Sequence, residues 1–403
     1  MKKTRMNFTG NAPERDLPLK KAAGAVALFT GIFYINFASR IVLAPVLPQL
    51  EQDLAISHSQ SGTLFLFISL GYLVSIFGSG WVSGALTHRR TITLSALLVG
   101  LALWGLAAAQ NLFAMRAAAL VIGLASGLYL PSGIASITSM VQKENWGKAL
   151  GIHEVAPNLA FITVPLFFGL MAHVISWREA FFAWGAASLA LALAFHFLGK
   201  GGHFKGTPPG RESLASAIKN ADLWRMAALF SCGVASTAGL YSMMVLYLVE
   251  TGGMEPGRAG LVLSASRAST LVMAFVAGWA TDRFGPRRTM TVALLSSCVF
   301  TILIALARGP WLVAAVFLQP VLAVCFFPAA FATLSGMVSP QMRNVAISLV
   351  IPLGFVVGAG AVPALMGALA EMGCFRTGMA TAGALIGLGG IGAIFFKPAL
   401  SSS

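Results

Sequence analysis

The sequence predicts an all-α membrane protein in which twelve transmembrane helices form two parallel six-helix halves. Composition, the recurrence of long apolar segments and an internal repeat predict it. Of 403 residues, 57% are hydrophobic and only 10% charged, against about 25% charged in an average soluble domain. A water-soluble globule is excluded.

A helix needs about 20 apolar residues to cross about 30 Å of hydrocarbon with its backbone polar groups satisfied internally. Such segments fall at about 22–48, 60–86, 91–110, 112–141, 149–175, 179–199, 223–249, 258–281, 289–307, 311–338, 344–369 and 377–396. Their length and lack of alternation exclude a membrane barrel, whose strands run about 10 residues. Residues 1–21 are basic but polar, which reads as a tail and not a cleaved signal peptide. The chain therefore divides into a tail (1–21), a first half (22–199), a polar linker (200–222) containing Pro208 and Pro209, a second half (223–396) and a tail (397–403). Residues 212–220 of the linker suit a short interfacial helix.

An even number of crossings puts both termini on one side. Of the 27 Lys and Arg residues, Arg178, Arg258, Arg308 and Arg376 fall on the other side, and Arg40, Arg116 and Arg267 lie within spans. The remaining twenty share the side of the termini, which the positive-inside rule makes cytoplasmic. The formal net charge of +14 is thereby explained as topology, and no nucleic-acid partner is expected. Four scattered cysteines do not make a disulfide framework. The histidines are scattered and no metal-ligand cluster appears, so neither metal nor cofactor is expected. Gly387-Leu388-Gly389-Gly390-Ile391-Gly392 spells a dinucleotide fingerprint, but inside span 12 with no preceding strand it is a close-packing surface.

The halves repeat at an offset of 197–198 residues. Gly80-Trp81 with Arg89-Arg90-Thr91 recurs as Gly278-Trp279 with Arg287-Arg288-Thr289. Pro131, Ala135 and Met140 recur as Pro328, Ala332 and Met337, and Val164-Pro165 with Gly169 as Val362-Pro363 with Gly367. Parallel repeats about an axis normal to the membrane are the architecture of alternating access around a site near the midplane.

The run Gly278-Trp279-Ala280-Thr281-Asp282-Arg283-Phe284-Gly285-Pro286-Arg287-Arg288 resembles the loop 8/9 signature of the major facilitator superfamily, and length and topology extend the likeness over nearly the whole chain. The resemblance implies a cytoplasmic gate in which Asp282 holds arginines, Gly285 makes a tight turn and the basic pair meets anionic headgroups. The first-half copy keeps Gly80, Arg89 and Arg90 but has Gly84, Ala85 and Thr87 at the acidic, basic and glycine positions. Span 5 has Ala156-Pro157-Asn158-Leu159-Ala160 where antiporters of the family carry a glycine-proline signature with paired glycines, which argues against drug antiport.

Three arginines inside spans carry the functional argument, because an ionised side chain in hydrocarbon is costly unless it faces a cavity or partner. Arg116 reads as snorkelling to the outer interface. Arg40, in span 1, resembles the arginine of the organic-anion members, although Ser39 stands where those members have Asp; the alternative is a structural bond to carbonyls or to Glu179. Arg267, near the midplane of span 8, resembles the arginine of the monocarboxylate and oxalate carriers, and its fork suits a carboxylate; the alternative is a structural hydrogen-bonding role. Glu154, the one acid within a span, stands beside His153, as a proton carrier or as a gate salt bridge. Tyr34, Asn36, Tyr129, Asn158, Tyr241 and Gln319 lie at cavity depth, as substrate contacts or as helix–helix hydrogen bonds.

The expectation is a monomeric secondary transporter in a bacterial inner (plasma) membrane, moving a small organic anion, a carboxylate, by proton symport. Arg40 and Arg267 would attract the anion, and Glu154 or His153 would carry the proton. Its partners would be that small-molecule substrate and the lipid bilayer. The alternatives are efflux of amphipathic or drug-like compounds on the same fold and, from another class, a membrane enzyme or transport-like receptor.

Overall fold

The computed structural model describes residues 17–397 apart from 209, 340 and 341. Most of the N-terminal tail, with Lys2, Lys3, Arg5 and Arg15, and residues 398–403 lie outside these. Among the described residues twelve helices are long and apolar enough to span a bilayer: α1 (Leu19–Leu54), α2 (His58–Leu86), α3 (His88–Ala108), α4 (Leu112–Met140), α5 (Lys143–Met171), α6 (Trp177–Leu198), α7 (Ala221–Glu250), α8 (Pro256–Phe284), α9 (Pro286–Leu306), α10 (Pro310–Gly336), α11 (Val345–Glu371) and α12 (Phe375–Phe395). A short helix, Arg211–Lys219, lies in the linker. No strand occurs among the described residues, only an isolated bridge between Leu17 and Val141.

Two helices run further than their apolar stretches. Helix α5 begins at Lys143 because charged residues 143–148 continue the helix beyond the hydrophobic run, so Glu154 lies deeper in it than the apolar limit near 149 suggests. Helix α1 reaches Leu54 through a 3-10 turn at Ala44–Val46, where Pro45 removes a backbone donor.

Breaks in helical regularity divide the helices into two kinds. Helices α2, α3, α6, α9 and α12 are unbroken. Helix α4 is interrupted at Leu128, α5 at Glu154, α8 at Ala268 and α10 after Pro320. Helices α7 and α11 each contain a π segment, Ala235–Gly239 and Val356–Ala361, and the two are in contact. Irregular backbone at membrane depth is tolerated where protein or a cavity covers it, and single π turns recur at functional sites.

Within each half, small residues bring backbones together. A Cβ on Gly390 would stand 2.7 Å from Leu295, and one on Gly387 2.7 Å from the Cys298 sulfur, so the glycine run of α12 packs on α9. Between the halves the close approaches gather at the face away from the termini. A Cβ on Gly62 (α2) would lie 2.8 Å from the Pro363 carbonyl (α11), and one on Gly169 (α5) 2.9 Å from the Gly257 carbonyl (α8). Ser264 Oγ donates to the Ile162 carbonyl at 2.7 Å, and Ser57 Oγ to Glu371 at 3.0 Å. At the termini face, Gly151, Ile152, Glu154 and Val155 of α5 and Asp282, Arg283 and Phe284 of α8 are exposed. The halves are closed at one face and parted at the other.

The linker is seated on the first half. The His88 amide donates to the Phe204 carbonyl at 3.1 Å, the Arg89 amide to Gly202 at 2.7 Å, and the Gly206 amide to Ser83 at 3.1 Å. Gly84 stands where the second-half motif has Asp282; a Cβ there would already lie 3.2 Å from the Gly206 carbonyl. Lacking the acid, this copy of the motif binds the linker instead.

Candidate functional site

The stripe of α8 that meets α5 contains Gly257, Gly260 and Ser264, and the next position at helical spacing is Arg267. Arg267 is therefore turned to the junction of the halves, at the depth where their close packing ends, and it is only 3% exposed. Its Nη2 donates to the Thr237 carbonyl at 3.3 Å, in the π segment of α7, where the widened turn shifts the backbone ladder. The guanidinium carbon lies 5.4 Å from the ring centres of both Phe161 and Tyr241. Its Nε and the Tyr241 hydroxyl are buried without a hydrogen-bond partner. Among the described residues no carboxylate pairs with it.

Arg40 mirrors this arrangement from the first half. Its guanidinium carbon lies 4.5 Å from the ring centre of Phe37, 4.4 Å from Tyr72 and 5.0 Å from Phe355 of the opposite half. Its Nε and Nη1 have no partner, and neither Glu179 nor any other described carboxylate pairs with it. The cavity beside it, lined by Ser69, Tyr72, Ser242 and Phe355 among others, has a volume of about 20 Å³. That holds about one water molecule and no organic acid.

An aromatic bridge joins the two arginines. Phe37 meets Phe161 edge-on at 5.2 Å, and Phe161 meets Tyr241 at 4.8 Å. Ring faces attract guanidinium by about 2 kcal/mol where water is excluded, but they accept no N–H bond in the plane of the fork. Each arginine is thus held by aromatic faces while retaining donors for a further acceptor. Phe37, Phe161 and Phe355 were not distinguishable in the sequence, where 28 phenylalanines show no pattern that singles them out, and Tyr72 was not singled out either.

The other candidates separate by direction. Gln319 Nε2 donates to the Ser236 carbonyl at 2.6 Å, beside the carbonyl that Arg267 uses. Tyr34 meets Thr163 Oγ1 at 2.6 Å across α1 and α5. Asn36 turns into the first half, donating to Ser95 at 3.1 Å, and Asn158 donates to the Glu154 carbonyl at 3.4 Å. Arg116, read as snorkelling to the outer interface, donates to Thr63 Oγ1, near the start of α2 at that face, from Nε and Nη2 at 3.2 and 2.9 Å.

Tyr129, His153 and Glu154 come together inside the first half. Tyr129 and His153 are fully buried. The Tyr129 hydroxyl donates to the Phe29 carbonyl at 2.7 Å and lies 3.0 Å from His153 Nε2. Phe33 stacks on the imidazole at 4.3 Å with planes 3° apart. His153 Nδ1 is 3.5 Å from Glu154 Oε1, and the Glu154 side chain is 58% exposed.

In the second-half gate motif, Gly285 takes φ 85° and ψ 151°, ending α8 and opening α9, while the Gly278 position is open, with no neighbour within 4 Å of a built Cβ. Asp282, Arg283, Arg287 and Arg288 are exposed, and Asp282 has no ion pair among the described residues. In the first-half copy Thr87 takes φ 127° and ψ 159°, a region otherwise almost confined to glycine. Arg89 turns back to cap α6, donating to the His196 and Phe195 carbonyls at 2.7 and 3.2 Å and also to that of Gly199; Arg90 is exposed. Among the described residues no group of three or more potential metal ligands occurs.

The sequence pattern of the Major Facilitator Superfamily matches residues 28–265 and 238–402. The chain is 24% identical over 314 residues to the multidrug resistance protein MdtG of Salmonella dublin, covering 73% of this chain and 76% of that one. It is 24% identical over 280 residues to the TsgA homolog of Erwinia tasmaniensis, covering 68% and 66%. In three dimensions it resembles a bacterial homolog of the human lysosomal transporter Spinster, solved in an inward-facing and occupied conformation. The TM-score is 0.81 at 15% identity, over 97% of this chain and 100% of that one. A POT family transporter in complex with a thioalcohol-conjugated peptide gives a TM-score of 0.77 at 13% identity, over 96% and 99%.

Proposed function

Because the chain belongs to the major facilitator superfamily, and is thus a membrane transporter and not an enzyme, we propose that it carries a small organic anion, a carboxylate, by alternating access and proton symport. It does so as a monomer in a bacterial inner membrane with both termini cytoplasmic. The form seen here, closed at the face away from the termini, is then inward-facing.

The observation that carries this reading is the Arg267 guanidinium, buried where the two halves meet, with an unpartnered Nε beside the unpartnered Tyr241 hydroxyl and no carboxylate paired to it. A fixed cation without a counter-charge is poorly stabilised when the site is empty. A carboxylate supplies the acceptor geometry the fork is built for, and the Tyr241 hydroxyl adds a third donor. Arg40 sits beyond the aromatic bridge, in a cavity too small for the substrate in this conformation, and adds attraction from the other half.

The test is uptake of labelled lactate and pyruvate into proteoliposomes with and without an imposed pH gradient. Arg267→Ala abolishes uptake in a protein that still elutes as a folded species; uptake at the wild-type rate refutes the assignment. The likeness to MdtG favours a second reading, efflux of amphipathic or drug-like compounds, and the aromatic bridge offers them stacking surfaces. Under that reading, extrusion of a lipophilic cation persists in Arg267→Ala, because the ring faces, and not the guanidinium, hold it.

A further inference from the structure

The hydrogen-bond roles around His153 are fixed by elimination. The Phe29 carbonyl only accepts, so the single proton of the Tyr129 hydroxyl is committed to it across 2.7 Å. The Tyr129 oxygen must then accept from His153 across 3.0 Å, which places a hydrogen on Nε2. In a neutral ring the opposite nitrogen, Nδ1, carries a lone pair. That nitrogen is completely buried, has no hydrogen-bond partner, and its neighbour is Glu154 Oε1 at 3.5 Å. Two acceptors therefore face each other.

We infer that His153 and Glu154 together form a one-proton site, with Tyr129 as the positioning residue that fixes the imidazole, and that this is where the transported proton is held. The inference rests on the proton-symport reading proposed above and assigns its second cargo. One proton between Nδ1 and Oε1 converts the lone-pair conflict into an ion pair or a neutral hydrogen bond. The step makes and breaks only N–H or O–H bonds: water on one side of the membrane gives up the proton, and water on the other side takes it back.

The surroundings suit this role. Phe33 of α1 lies flat on the ring and holds its plane. The groups packed on His153 are Phe33 and the Phe29 carbonyl from α1, Tyr129 from α4 and Glu154 from α5 itself. Tyr72 of α2, with Arg40 behind it, also lies within electrostatic reach of Glu154. Glu154 belongs to the same stripe of α5 as Asn158, Phe161, Pro165 and Gly169, the last three of which touch the second half. It therefore points into the parted space between the halves and is the port through which the buried histidine exchanges protons. Along α5, Phe161 and the Arg267 that lies on it are about 10 Å away. When an anion neutralises Arg267 and a proton neutralises the His153–Glu154 pair, neither of these two sites carries an uncompensated charge.

The test uses the full chain in lipid nanodiscs with 15N-labelled histidine and no added ligand, with the His153 resonances identified by their loss in His153→Gln. The expected result is a neutral ring protonated only at Nε2, gaining a proton at Nδ1 as pH falls. Glu154→Gln lowers the midpoint of that titration by about one unit, a tenfold change in proton affinity. Tyr129→Phe, which keeps the packing, lets the neutral ring populate both tautomers. A neutral ring protonated at Nδ1 in the wild type, or a midpoint unmoved in Glu154→Gln, overturns the proton site. In proteoliposomes His153→Gln and Glu154→Gln lose accumulation of lactate driven by a pH gradient; accumulation at the wild-type level in either overturns its transport role. If the wild type moves no lactate at all, the carboxylate reading fails by itself and the ligand-free titration still decides the proton site. Arg267→Ala leaves that titration in place.

Discussion

Replacing Arg267 by methionine separates a residue kept for transport from one kept for folding. In the empty protein the guanidinium makes one hydrogen bond, at 3.3 Å to Thr237, and rests on two aromatic faces. Its Nε is unmatched. A buried polar group without a partner costs about 1–3 kcal/mol, more when it is charged, and replacing buried charges by apolar residues of similar volume is often stabilising by about 1–4 kcal/mol. Methionine extends unbranched as far as the arginine Nε position, and its sulfur gains about 0.3–1.5 kcal/mol on aromatic edges, here Phe161 and Tyr241. The expected net effect is a gain of about 1–2 kcal/mol, read as a thermal midpoint a few degrees higher by tryptophan fluorescence. The same change removes two charge-assisted bonds to the carboxylate, each about 1.5–3 kcal/mol. Lactate uptake then falls by more than about 100-fold. A midpoint that drops would make Arg267 a structural strut, and uptake within about threefold of wild type would remove it from the site; either refutes the reasoning.

Other expectations follow from backbone geometry and capping. Thr87→Gly relieves about 1–3 kcal/mol of strain at φ 127°, offset by glycine's entropy of about 0.5–1 kcal/mol; the thermal midpoint rises, and a fall would mean that the Thr87 hydroxyl outweighs the strain. Gly367→Val forces a side chain against the His58 carbonyl at the closed face; a cysteine introduced at Leu66 on a cysteine-free background becomes easier to label from that side, and unchanged labelling would mean that the seam does not hold this face shut. Glu255 caps α8 through the Gly257 and Arg258 amides at 2.8 and 2.9 Å. Those bonds, with a smaller contribution from His173, hold its carboxyl below the usual range. Its stabilisation is therefore complete above about pH 4.3 and is lost as pH falls through the lowered value. Glu255→Ala costs about 1 kcal/mol at neutral pH and progressively less on acidification in thermal melts, whereas an equal loss at all pH values would dismiss the cap.

Depth in the membrane was legible in the sequence and direction around the helix was not. Arg267 stood out because a charge amid apolar residues is rare, and counting along span 8 placed it near the middle. Tyr129 and Asn36 lie at comparable depth, yet both turn into the first half, to His153 and Ser95. The start of α5 was missed because hydropathy detects only the greasy part of a helix. The π segments left no trace, since one extra residue in a uniformly apolar run does not disturb any visible period. Gly278 through Arg288 could be read as a gate motif, but the fate of its first-half copy could not: nothing in the letters of Ser83 or Gly84 shows that Gly206 lies against them.

Residues 200–206 are structurally part of the first half although they follow its last helix. The amides of His88, Arg89 and Gly206 stitch them down, so a chain cut after Gly206 yields two fragments whose seams are intact, and co-expression should reconstitute the carrier. A cut before His203, or a fluorescent reporter placed there, would strip this edge of its backbone partners and should leave fragments that do not reassemble.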